Sequence, residues 1–66
     1  MSVGRLVIKT LSDGSRVVYK YDLLKHAGAS EDVHTTDVER MLRAIGLTDV
    51  YLDVLPFHIG WKIVPR

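Results

Sequence analysis

The sequence predicts a small α+β domain, and three local patterns support that prediction. A turn signal at Asp13-Gly14 lies between two runs rich in β-branched residues and predicts an N-terminal β-hairpin over residues 3–21. Apolar residues at helical spacing predict one main α-helix over residues 36–46. Alternating apolar residues near the C-terminus predict one or two further strands. The expected architecture is therefore ββαβ or ββαββ, with the helix packed on one face of an antiparallel sheet.

Length and composition limit the class of protein. The 66 residues make one predicted domain, residues 1–66, near the lower size limit for a chain that folds without disulfides or metals. Hydrophobic residues form 47% of the chain, which is ordinary for a globular protein and too many for a disordered one. The absence of cysteine excludes disulfides and thiolate chemistry. With no signal-peptide pattern and no run of about 18 apolar residues, we expect a soluble, cytoplasmic protein without a membrane partner.

The main helix is predicted from the agreement of its start, its buried face and its end. Four apolar residues at i, i+3, i+4 and i+7 share one stripe: Val38, Met41, Leu42 and Ile45. Thr36 and Glu39 have capping-box spacing, so each side chain can satisfy a free backbone N–H in the first turn. Gly46 suits the left-handed residue that commonly ends a helix.

The strand register of the N-terminal hairpin is predicted from its turn. A two-residue type I′ turn at Asp13-Gly14 places Thr10 opposite Val17. The face expected to meet the helix then carries Leu6, Ile8, Thr10, Val17, Tyr19 and Tyr21. The opposite face carries Arg5, Val7, Lys9, Leu11, Arg16, Val18, Lys20 and Asp22. A slip of one residue would mix apolar and charged side chains on both faces.

Two other segments have a less definite pattern. Asp22 to Gly28 is predicted as one or two helical turns, with Asp22 as N-cap and Gly28 as the stop. Residues 50–64 fit two structures: a hairpin whose loop is Pro56 to Gly60, or a strand over 57–64 that follows a bulge. The bracketing proline and glycine favour the hairpin. The predicted core is Leu6, Ile8, Val17, Tyr19, Val38, Met41, Leu42, Ile45, Trp61 and Ile63.

No group of residues in the sequence is typical of catalysis or of metal or cofactor binding. The histidines His26, His34 and His58 are far apart, and none has a metal-binding partner at i, i+4. The glycines are dispersed, and no serine lies in a nucleophile-elbow pattern. We therefore predict a non-enzymatic protein with no catalytic, cofactor-binding or metal-binding residues and no small-molecule substrate.

The predicted outer face of the sheet is the most informative feature for function. It carries aliphatic residues between cations, a composition more typical of a protein contact than of a purely solvated face. The residues predicted to bind a partner are Arg5, Val7, Lys9, Leu11, Arg16, Val18, Lys20, Lys62 and Tyr51. Our first hypothesis is a small binding or regulatory module that forms a homodimer or docks on a larger protein through this face.

A nucleic-acid partner is the alternative, and a solvated antiparallel face is the simplest explanation. Residues 1–21 carry four cations against Asp13 alone, and β-ribbons can read nucleic-acid grooves. A winged-helix arrangement would place the tip of its wing at Pro56 to Gly60. Three features oppose nucleic acid: a net charge of only +1, aromatic residues predicted to face inward, and Asp37 with Glu39 at the start of the main helix.

Overall fold

The computed structural model describes residues 5–66 as a four-stranded antiparallel sheet covered on one face by two helices. Its elements are β1 (Lys9–Thr10), β2 (Arg16–Tyr19), α1 (Lys20–His26), α2 (Thr35–Ala44), β3 (Val50–Val54), a 3₁₀ turn (Pro56–His58) and β4 (Gly60–Pro65). The strand order is β1-β2-β4-β3. The α+β class is confirmed, but the connection between the two hairpins carries two helices instead of one. The predicted start of the first hairpin, Val3, lies outside the described residues.

Helix α2 buries only part of its predicted stripe. Val38 and Leu42 are fully buried, whereas Ile45 is 56% exposed because the helix has already ended. Gly46 has a φ of 90°, and the N–H of Leu47 donates to the Leu42 carbonyl at 2.9 Å. This backbone geometry satisfies a carbonyl at the helix end and confirms the predicted role of Gly46.

The start of α2 differs from the capping box predicted at Thr36 and Glu39. The N–H of His34 donates to the Asp37 carboxylate at 2.9 Å, so the acidic residue that closes the first turn is Asp37. The two capping residues are three positions apart, as predicted, but the pair lies two residues earlier in the chain because the helix begins at Thr35.

The turn of the N-terminal hairpin is longer than predicted. The N–H of Leu11 donates to the Ser15 carbonyl at 2.7 Å, and the N–H of Gly14 donates to the Leu11 carbonyl at 3.0 Å. Among the described loop residues only Gly14 has a positive φ, at 88°. The loop is therefore a turn over Leu11 to Gly14 whose last residue, Gly14, is left-handed, which is the geometry of a three-residue hairpin loop and not of type I′.

This longer loop shifts the hairpin register by one residue and inverts the faces of β2. Thr10 pairs with Arg16, so Val17 lies opposite Lys9. Val18, predicted to face outward, is 0% exposed in the core beneath the helices. Val17 and Tyr19, predicted to face the helices, lie on the outer side of the sheet, where Val17 is nevertheless buried as predicted. The prediction failed here because a slip of one residue reverses every side chain in a strand.

The core lies between the inner side of the sheet and the two helices. Its buried residues are Val18, Leu23, Ala27, Val33, Val38, Leu42, Trp61 and Ile63. Half-buried residues that pack against it include Leu6, Ile8, Met41, Leu47, Val50 and Leu52. The predicted inward orientation of Trp61 and Ile63 is confirmed. The Trp61 indole N–H donates to the Thr35 hydroxyl at 2.9 Å, so the polar atom of this buried ring is satisfied.

The two C-terminal strands form a hairpin around Pro56 to Gly60, which confirms the favoured alternative. The N–H of Leu55 donates to the Gly60 carbonyl at 2.9 Å. Strand β4 also approaches β2 closely: a Cβ atom on Gly60 would lie 2.4 Å from the Val18 carbonyl oxygen. Only glycine permits this approach, which joins the two hairpins into one sheet.

Helix α1 confirms the predicted helical turns but not the role of Asp22. The helix begins at Lys20, so Asp22 lies inside it, and its side chain is buried. The Asp22 Oδ2 atom lies 3.4 Å from Lys9 Nζ and has no hydrogen bond within the described residues. Gly28, at a φ of 71°, follows the end of the helix as predicted.

Candidate interaction surfaces

The structure separates the residues predicted to form one partner-binding face. Lys9, Lys62 and Tyr51 share the outer side of the sheet, as expected. Val18 is in the core, and Arg16 lies on the helix side of the sheet. The remaining residues lie outside the strands: Arg5 and Val7 before β1, Leu11 in the hairpin turn and Lys20 at the start of α1. The predicted residues therefore do not form a single continuous surface.

The side of the sheet opposite the helices is called the outer face. Its residues are Lys9, Val17, Tyr19, Tyr51, Asp53, Lys62 and Val64. Val17 is only 1% exposed, so this face lacks the bare aliphatic surface that the sequence suggested. Tyr19 and Tyr51 are on this face, which corrects the expectation that Tyr19 points inward.

The charges of the outer face are largely balanced. Lys9 pairs with Asp22, and Asp53 lies directly opposite Lys62. The pKa of Asp13 is lowered, chiefly by the hydrogen bond from the Ser15 hydroxyl and to a lesser degree by Lys62. Because each lysine of the outer face has an acidic residue nearby, the local positive charge is small.

The loop between β3 and β4, residues Pro56, Phe57, His58 and Ile59, is called the hairpin tip. The Phe57 side chain is 97% exposed. Phe57 and His58 have φ values of 59° and 55°, a left-handed conformation that bulky residues seldom adopt. Ile59 in the loop and Val54 at the end of β3 are also exposed. The tip thus presents apolar side chains to solvent on an unusual backbone.

Hydrogen bonds and ring packing hold the hairpin tip in place. The N–H of His58 donates to the Leu55 carbonyl at 3.0 Å, and the N–H of Lys20 donates to the Ile59 carbonyl at 2.9 Å. The His58 ring packs edge-on against Trp61, with ring centroids 5.5 Å apart. Phe57 is therefore presented on a loop that is anchored to α1 and to the core.

A groove of about 420 Å³ runs along α2. Its lining residues are Ala29, Ser30, Val33, Asp37, Arg40, Met41 and Ala44. The charged residues at its margin, Asp37 and Arg40, lie 3.8 Å apart and pair with each other. The groove therefore has a mostly apolar lining and no free charged group to orient a small molecule.

The described part of the chain offers little for other chemistry. Within residues 5–66, no three histidine or acidic side chains come close enough together to hold a metal ion. No helix in that range is both long enough and apolar enough to cross a bilayer. Comparison of the chain with protein-family models, with curated proteins and with solved structures gave no match in any of the three.

The residues predicted from the sequence to bind a partner do not include the hairpin tip or Phe57. Its position between Pro56 and Gly60 was the available signal, because an apolar side chain in a short hairpin loop has no strand face on which to pack. The left-handed backbone of Phe57 could not be predicted from the sequence, because glycine and asparagine are the residues that indicate a positive φ.

Proposed function

We propose that the protein is a small non-enzymatic module that docks on a partner protein through its hairpin tip, with Phe57 as the anchor. The exposure of Phe57 carries this proposal. The functional class is the one expected from the sequence, but the contact surface moves from the outer face to the tip.

The energetics of Phe57 support a role outside the folded monomer. A left-handed backbone costs roughly 1–2 kcal/mol for a residue with a side chain. A 97% exposed side chain gains almost no burial that would offset this cost. The stability of the monomer therefore does not explain a phenylalanine at this position. Burial of the ring in a pocket of a partner would explain it, because buried aromatic anchors dominate binding energy at interfaces.

The setting of Phe57 also suits a binding anchor. The hydrogen bonds of Leu55 and Lys20 to the loop fix the backbone on both sides of Phe57. A side chain on a fixed loop loses less conformational entropy on binding than one on a flexible loop. Val54 and Ile59, close to Phe57 in the chain, are also exposed apolar residues.

The chemistry of the tip favours a protein partner. Residues 55–59 contain no lysine or arginine. Nucleic acids and anionic membranes attract proteins chiefly through such cations. An apolar pocket on a protein needs no cation, and it matches an exposed aromatic ring with aliphatic neighbours.

Affinity capture with matched variants tests the proposal. Cell extract is passed over the immobilised wild-type chain, Phe57→Ser and Tyr21→Ser, since Tyr21 is an exposed aromatic on α1 that does not belong to the hairpin tip. A partner must be retained by wild type and Tyr21→Ser and lost with Phe57→Ser. With that partner purified, Phe57→Ala should weaken binding by roughly 30-fold or more. The proposal is wrong if no retained protein depends on Phe57.

Nucleic-acid binding at the outer face is a second candidate, favoured by one observation. Tyr19 and Tyr51 share that face with Lys9 and Lys62, and aromatic rings beside cations can stack on single-stranded bases. The nearby acidic residues Asp22 and Asp53 weaken this candidate. Titration with single-stranded oligonucleotides at two salt concentrations tests it: affinity should fall with salt and with Tyr51→Ala. Absent or salt-independent binding excludes it.

A further inference from the structure

Strand β3 forms one edge of the sheet, and its one charged residue, Asp53, is not the lysine or proline that most often protects an edge. Its sequence, Val50 to Val54, contains no lysine, arginine or proline. Such residues normally prevent an exposed strand from pairing with another chain. At five residues, β3 is also long enough to offer several backbone groups to a partner strand.

The hydrogen-bond ladder shows which groups of β3 point outward. Leu55 bonds to Gly60 and Arg66 bonds to Asp49 across the β3–β4 pair. Because hydrogen-bonded pairs alternate in antiparallel strands, odd-numbered residues of β3 point their N–H and C=O groups toward β4. The even-numbered residues Val50, Leu52 and Val54 therefore point these groups away from the sheet. Within residues 5–66, no hydrogen bond reaches the outward groups of Leu52 or Val54.

We propose that β3 pairs with β3 of a second copy of this chain, antiparallel and around a two-fold axis at Leu52. Leu52 then lies opposite Leu52 of the second copy, and Val54 lies opposite Val50. All outward groups of the three residues are used, and the two sheets become one continuous sheet. This dimer goes beyond docking through Phe57 and does not depend on it.

The side chains of β3 favour this register over the neighbouring one. With the axis at Leu52, Asp53 lies opposite Tyr51 of the second copy, and the half-exposed Val54 meets Val50. An axis at Asp53 would place two carboxylates directly opposite each other, which is destabilising. The strand is thus more complementary to itself with the axis at Leu52 than with the axis at Asp53, and a two-fold interface requires such self-complementarity.

One existing hydrogen bond must be exchanged when the dimer forms. The Arg66 side chain donates from Nε to the Val50 carbonyl at 3.2 Å. This bond is exposed, so its replacement by the N–H of Val54 from the second copy changes the free energy little. The hairpin tips do not obstruct pairing, since the axis would place the two Phe57 residues roughly 30 Å apart at opposite ends of the paired strands.

Sedimentation analysis of matched variants at protein concentrations up to about 1 mM tests the dimer. Val54→Pro removes an outward N–H that no described residue uses in the monomer, and edge strands tolerate such a proline. Val54→Thr keeps the N–H and the branched shape. The dimer dissociation constant should rise roughly 30-fold for Val54→Pro, because two-fold symmetry removes two hydrogen bonds, and less than about threefold for Val54→Thr.

Three results of the sedimentation experiment would overturn the proposed dimer. A wild-type protein that stays monomeric throughout the range overturns the proposal. So does a dimer that is equally strong in Val54→Pro, or one that Val54→Thr weakens as much as Val54→Pro. Near-ultraviolet circular dichroism of the buried Trp61 checks that each variant is folded. If Val54→Pro does not fold, Val54→Lys replaces it, and it should weaken the dimer by adding a cation to the edge.

Discussion

The two edges of the sheet are built differently. Strand β1 has two residues, and its Lys9 lies 3.4 Å from the buried carboxylate of Asp22. Strand β3 has five residues without a cation, and it leads directly into the exposed hairpin tip. A short edge with a lysine offers few groups to another chain, whereas a longer apolar edge offers many. This contrast is the reason for proposing that the C-terminal hairpin, and not the edge at β1, meets a partner.

The largest effect is expected from a change that tests which face of β2 meets the helices. Val18→Glu puts a carboxylate into the core and should lower the free energy of unfolding by about 4 kcal/mol or more, enough to unfold most domains of this size. Val64→Glu, on the outer face, should cost less than about 1 kcal/mol. Urea denaturation measures both. If Val18→Glu were tolerated as well as Val64→Glu, the observed register would be wrong.

A second change tests the contact that joins the two hairpins into one sheet. Gly60→Ala places a Cβ 2.4 Å from the Val18 carbonyl oxygen and should cost about 3 kcal/mol, because backbone atoms must move. Gly14→Ala is the matched control: nothing lies within 4 Å, and only the positive φ opposes it, at roughly 1 kcal/mol. Thermal unfolding compares the two. Equal losses would contradict the close approach of β4 to β2.

A third change tests whether the exposed tip contributes to the stability of the fold. Phe57→Gly relieves the left-handed strain and loses almost no burial, while glycine adds entropy to the unfolded chain. The free energy of unfolding should therefore stay unchanged or rise by up to about 1 kcal/mol. Urea denaturation monitored by Trp61 fluorescence measures it. A loss above about 1 kcal/mol would show that Phe57 packs in the monomer.

The smallest effect on stability is expected from a change in the turn of the first hairpin, next to the sheet edge formed by β1. Because the Ser15 hydroxyl lowers the pKa of Asp13, Ser15→Ala should raise that pKa toward the ordinary value of an aspartate. A lowered folded-state pKa gives stability that is present above the unfolded pKa and is lost as pH falls through the folded one. The stability difference between wild type and Ser15→Ala should therefore shrink in acid. An NMR titration of the Asp13 carboxyl group checks the shift.

Helix α2 and the C-terminal hairpin could be predicted because their signals are local. Gly46 marks the end of α2, and Pro56 with Gly60 brackets the second hairpin loop, so few other structures fit those residues. The register of the first hairpin could not be predicted, because Asp13-Gly14 suits both a two-residue and a three-residue loop. Val17 and Val18 are both apolar, so the pattern of β2 did not reveal the error.

The candidate site was less predictable than the fold. The outer face was assigned from the alternation of residues in β2, and it changed when the register changed. The position of β3 at an edge of the sheet follows from the strand order, which places β4 between β2 and β3. No local sequence pattern contains that information. The role of Asp22 was missed for a similar reason, since its pairing with Lys9 joins residues from different elements.

Amide hydrogen exchange at the two edges tests their contrast most directly. The ladder of β1 points the N–H of Thr10 outward, as it does for Leu52 and Val54 in β3. NMR exchange rates are measured at about 20 µM and about 1 mM protein. If β3 pairs with β3 of a second copy, the amides of Leu52 and Val54 should exchange more slowly at the higher protein concentration. The exchange rate of the Thr10 amide should stay the same. Protection of Thr10 instead, or rapid exchange of all three amides at both concentrations, would contradict this pairing.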